Sequence, residues 1–80
     1  MNTLKINAMQ AANILKIRRG AMNLWEDCAL YEILYDHFCP EMPYDVAAAK
    51  SGDPYEWIEN RLVSMTNKEY LNFVFCVLTA

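Results

Sequence analysis

Three cysteines and one histidine are the residues in this sequence with the chemistry of metal ligands or nucleophiles: Cys28, Cys39, Cys76 and His37. His37 and Cys39 stand two apart, and the other two thiols would complete a Cys3His set. Structural zinc sites, however, bring their ligands in close pairs, and these four are scattered. A Cys–His catalytic dyad also needs a third group to orient the imidazole and a site for the oxyanion. Asp36 adjoins His37 in the chain, so on a helix it points elsewhere. The spacing therefore predicts small buried thiols and a surface imidazole, with no metal, no cofactor and no enzymatic activity.

The carboxylates divide by position. Glu26, Asp53, Glu56 and Glu69 stand where helix caps are expected, three residues from an Asn, Thr or Asp or at the cap itself. Glu32, Asp36, Asp45 and Glu59 have no such local role and are the candidates for contacting a basic partner. The net charge of −3 hides an asymmetry along the chain. Residues 1–25 carry Lys5, Lys16, Arg18 and Arg19 and no acid, whereas all ten acids follow, against Lys50, Arg61 and Lys68. A dipolar distribution of this kind steers association and says nothing about fold.

The elements that must position these groups are read from caps and prolines. Thr3 could cap a first helix running to about Arg19, with Leu4, Ala8, Ala11 and Leu15 on one side, Gly20 as its stop and the cations in its last turn. Asn23 and Glu26 read as a capping box opening a second helix that ends before Pro40. Its main stripe would be Leu24, Cys28, Tyr31, Tyr35 and Phe38, with Leu30, Ile33 and Leu34 on a further face. Pro43 to about Ser51 reads as a brief helix stopping at Gly52. Asp53-Pro54-Tyr55-Glu56 is the strongest start signal, for a helix burying Tyr55, Ile58, Leu62 and Met65, with Trp57 covering Arg61. Thr66 and Glu69 form a last capping box, for a helix over Asn67–Thr79. The expectation is one all-α domain over residues 1–80, a compact bundle of about four to five helices. Two glycines, three prolines and 55% hydrophobic residues agree with a folded chain.

One stretch resembles a family. Met9-Gln10-Ala11-Ala12-Asn13-Ile14-Leu15-Lys16-Ile17-Arg18-Arg19-Gly20-Ala21-Met22-Asn23-Leu24-Trp25 is similar to the helix-turn-helix pattern of small phage and bacterial DNA-binding domains. There an Ala-Ala pair, a Leu and an Ile precede the turn, and basic residues open the recognition helix. The resemblance implies DNA contact through Lys16, Arg18 and Arg19. It departs at Lys16, which stands in place of the usual turn glycine, and at Glu26 and Asp27, which phosphates would repel.

Three function classes follow. The first is a non-enzymatic acidic protein that binds a larger target, an inhibitor of a nucleic-acid-handling host protein of the anti-defence, anti-CRISPR-like type that phages and mobile elements use. The second is the helix-turn-helix regulator using residues 9–25, the only reading with DNA as partner. The third is an oligomerising subunit, for which Phe73, Phe75 and Leu78 would supply the contact. The odd cysteine count, the basic residues placed after the N-terminal apolar ones, and a longest apolar run of Phe73 to Leu78 point to a cytoplasmic chain without a membrane span. Incubation with a strong chelator is expected to leave a helix-dominated circular dichroism spectrum unchanged; loss of helix on chelation would make the thiols metal ligands.

Overall fold

Helix starts in this chain are set by side chains that accept the otherwise unpaired amides of a first turn. A computed structural model describes residues 6–48 and 53–79, with the side chains of all but residues 53, 78 and 79. Among the described residues it is all-α, with five α-helices and no strand. The helices are α1 (Ala8–Arg18), α2 (Cys28–Phe38), α3 (Tyr44–Ala48), α4 (Asp53–Ser64) and α5 (Asn67–Thr79). Short 3-10 turns at Leu24–Glu26 and Cys39–Glu41 stand on either side of α2.

The last capping box is present as the spacing predicts. The Glu69 amide donates to Thr66 Oγ1 at 3.1 Å and the Thr66 amide donates to Glu69 Oε1 at 2.8 Å. Two other starts differ from expectation. The α1 cap is Asn7, paired reciprocally with Gln10 at 2.7 and 3.0 Å, and Thr3 lies outside the described residues. The pattern Asn-x-x-Gln carries the same two bonds as Ser/Thr-x-x-Glu and sets the start four residues later. For α2 the cap is Asp27, whose Oδ1 accepts from the Leu30 amide at 3.1 Å. Asn23 and Glu26 open the 3-10 turn instead, with the Asn23 amide on Glu26 Oε2 at 2.9 Å. Helix α4 is described from Asp53, one residue before the Pro54 start that the pattern predicts; the Asp53 side chain and residues 49–52 lie outside those described.

Gly20 ends α1 as expected. Its φ of 76° lies in the left-handed region, and the Gly20 and Ala21 amides close back on the Ile17 and Lys16 carbonyls. This pair of bonds is a Schellman closure, which an L residue would strain.

Helix α4 is the element around which the others pack: α1, α2, α3 and the first 3-10 turn all approach its backbone. Its Ile58 and Leu62 are fully buried, and Met65 just beyond it is buried too. Against them lie Ile14 and Ile17 of α1, Leu24 of the turn, Leu30, Leu34 and Phe38 of α2, and Phe73 and Val77 of α5, in one core. Two apolar faces are therefore phased differently from the expectation. In α1 the buried pair is Ile14 and Ile17, while Ala8 is exposed and Leu15 half-buried. In α2 the core stripe is the face expected to be secondary, Leu30 and Leu34 with Phe38, while Cys28 is exposed and Tyr31 and Tyr35 flank it half-buried.

Aromatic contacts hold the helix ends together. Phe38 stacks on Phe73 at 5.3 Å and meets Trp57 edge-on at 6.0 Å, tying α2 to α5 and α4. Trp57 is half-buried and borders the same cleft as Arg61, whose Nε pairs with Glu41 Oε1 at 3.5 Å. Tyr31 stacks on Tyr55 at 3.9 Å, and the Tyr35 hydroxyl donates to the Ala47 carbonyl at 2.6 Å, which ties α3 to α2. Leu34→Ala, in the centre of the α2 stripe, is expected to lose about 2–5 kcal/mol of stability in urea unfolding. An unchanged midpoint would place Leu34 outside the core.

Candidate interaction surfaces

The acids that sequence reasoning set apart separate into two groups. Glu32 and Asp36 lie one turn apart on α2, and both are exposed. Asp45 is exposed on α3. Glu59 is different. It is half-buried on α4 and its Oε2 accepts the Leu24 amide at 2.6 Å. Leu24 is fully buried at the start of a 3-10 turn, where its amide has no partner within the turn, so the carboxylate satisfies a buried donor. The local pattern around Glu59 could not show this, because its partner is 35 residues away. Asp27, named from the sequence only as a residue that phosphates would repel, accepts from the Asn13 side-chain Nδ2 at 2.9 Å besides capping α2, and so joins α1 to α2.

The cations divide in the same way. Lys16 and Arg19 are exposed at the end of α1. Arg18 is half-buried and turned inward: its guanidinium donates to the Leu62 carbonyl at 2.5 Å and to Asn67 Oδ1 at 3.2 Å, and lies 4.8 Å over the Tyr70 ring. It thereby satisfies a carbonyl in the last turn of α4 and holds the start of α5. The geometry around it departs from a helix-turn-helix. Residues 19–27 separate α1 from α2, where that motif uses a three- to four-residue turn. The basic residues close the first helix and do not open the second.

Between α1 and α5 the inward turn of Arg18 leaves a groove of about 360 Å³, lined by Leu15, Arg18, Arg19, Asn67, Tyr70 and Leu71. Burial pushes the Tyr70 phenol above its ordinary pKa, with the Arg18 and Arg19 guanidiniums opposing the shift. The aromatics proposed for self-association part company: Phe73 is buried in the core, Phe75 is 70% exposed, and the Leu78 side chain lies outside those described. Leu71, one turn before Phe75, is 65% exposed, so α5 shows an outer apolar face that the Phe73 and Val77 side does not share. The i, i+4 spacing of Leu71 and Phe75 was the signal for it.

The expectation of buried thiols and a surface imidazole is reversed. Cys28 and Cys76 are exposed and Cys39 half-buried. His37 is half-buried, 4.9 Å from the Phe38 ring and 5.2 Å from that of Phe73. The cause is the phase of α2: turning Leu30, Leu34 and Phe38 inward brings position 37 beside α5 and position 28 to the surface. No group of three His, Cys, Asp or Glu side chains among the described residues could hold a metal ion. No helix among them is long and apolar enough to cross a membrane.

No known protein family matches this chain, and no curated protein or solved structure matches it either.

Burial holds the His37 imidazole below its ordinary pKa, with Glu41 opposing the shift. A histidine lowered on folding binds its proton less readily in the folded state than in the unfolded chain. Its contribution is thus complete above its unfolded value of about 6.5 and is lost as pH falls through the lower folded value. Urea unfolding from pH 8 to pH 5 is expected to show a stability decrease below about 6.5 that His37→Gln removes; an identical pH profile for both proteins would clear His37 of the effect.

Proposed function

We propose that this chain is a non-enzymatic binding domain that lays the outer face of α2 on a basic surface of a larger protein and acts by occupying it. The observation that carries this reading is the state of Glu32 and Asp36. Both are exposed, and neither forms an ion pair or hydrogen bond among the described residues. Glu26, Asp27, Glu41, Glu59 and Glu69, by contrast, each have a partner within the fold. Like charges one turn apart on a helix cost a few tenths of a kcal/mol. The fold gains nothing from the pair, and a cationic partner would relieve it. Asp45 on α3 is exposed and without such a bond, and extends the acidic character.

A protein that handles nucleic acid offers a basic groove of matching sign, and an acidic domain seated in it excludes the nucleic acid. That action would be inhibitory, as in the anti-defence inhibitors of phages and mobile elements. The nine residues 19–27 between α1 and α2, too many for a helix-turn-helix turn, support this ordering over the DNA-binding reading.

The test begins with the immobilised chain and a host lysate, with retained proteins identified by mass spectrometry and their affinity measured at low and physiological salt. The double variant Glu32→Lys/Asp36→Lys should bind the retained protein at least about tenfold more weakly, mainly through slower association, while Arg19→Glu changes little. Retention of duplex DNA in place of a protein, lost on Arg19→Glu and kept in the double variant, would overturn the reading.

A further inference from the structure

The cationic end of α1 is left unexplained by an acidic docking face, and it stands beside the apolar outer face of α5. We propose that the groove between α1 and α5 is a second binding site, specific for an acidic protein segment that carries a large apolar side chain next to its carboxylates. Its apolar lining is Leu15 and Leu71 with Tyr70. Its cationic lining is Arg18 and Arg19, and Lys16 is exposed on the same helix end.

Three features make the groove more than a gap between helices. Arg18 is held in place by the Leu62 carbonyl, Asn67 and the Tyr70 ring, so its charge is already oriented and little side-chain entropy remains to be lost on binding. A guanidinium has five N–H donors, and the two bonds within the fold leave others for a carboxylate. The Arg18 guanidinium lies 4.8 Å from the centre of the Tyr70 ring, and Arg19 lines the same groove. Arg19 itself is exposed and has no hydrogen bond or ion pair among the described residues.

The occupant follows from this combination. A groove of about 360 Å³ admits one or two side chains, and its Leu15 and Leu71 surface is wetted unless an apolar group covers it. Two guanidiniums lining one groove complement in sign a segment that carries carboxylates. A nucleic-acid duplex presents phosphates along a strip and nothing to cover the leucines.

The site is independent of the α2 face, and the test separates them. The probe is a short fluorescein-labelled peptide of glutamates flanking leucines, followed by fluorescence polarisation at low salt, with a serine-for-leucine peptide and duplex DNA alongside. The glutamate–leucine peptide should bind, and Arg19→Glu and Leu71→Asp should each weaken it at least about tenfold. Glu32→Lys/Asp36→Lys should leave it bound, whatever becomes of the reading of α2. Circular dichroism of each variant confirms the fold, and Arg19→Gln gives a milder loss without charge reversal. No peptide binding, equal binding of the serine peptide, or preferential binding of duplex DNA overturns the proposal.

Discussion

Ile58 and Leu62 reach full burial because α1 and α2 both close on the same stripe of α4, and that shared dependence organises the molecule. A chain of this length buries a smaller share of its surface than larger domains do, so no helix can be spared from the one core it builds. Ile14 and Ile17, Leu30 and Leu34, and Leu24 between the helices share one core with Ile58 and Leu62 of α4. The polar bonds then follow the core. Glu59, on α4, reaches the Leu24 amide because Leu24 is already seated beside Ile58 and Leu62, and Arg18 reaches Leu62 for the same reason.

The charged groups consequently sort by whether the packing gives them something to hold. Arg18, Asp27 and Glu59 are spent on amides, carbonyls and amide side chains that would otherwise be unpaired. Glu32 and Asp36 on one side, and Arg19 with Lys16 on the other, point away from all such groups. Two surfaces of opposite sign remain on one small domain, and each is built on a rigid helix whose inner face is buried.

The helix start at α5 is legible because a cap is a local device: the residues that make its bonds lie within three positions of one another. Asn7-x-x-Gln10 is a local pattern of the same kind, competing with Thr3 for the start of α1, and Asp27 competes with Asn23 for that of α2. The phase of α2 was not legible in the same way. Both of its faces carry apolar residues, and which one turns inward depends on what α4 offers against it. The roles of Glu59 and Arg18 were out of reach for a related reason, since their partners lie 35 and 44 residues away. Of the proposed contact residues, Glu32, Asp36 and Asp45 are where an exposed acid was expected, and Glu59 is the one that the packing claimed.

The Arg18 clasp also orders the events by which the chain organises itself. Helices α4 and α5 are joined by Met65 and Thr66 alone, so their meeting closes a short loop, whereas Arg18 must bridge 44 residues to Leu62 and 49 to Asn67. The entropy of closing the longer loop is recovered only when the α4–α5 corner already exists to receive the guanidinium. The clasp is therefore a late contact, and contacts absent from the transition state act on the lifetime of the native state rather than on the speed of reaching it. In kinetic terms Arg18 is a latch: it governs how long α1 stays docked, and with it how long the groove that α1 shares with α5 persists.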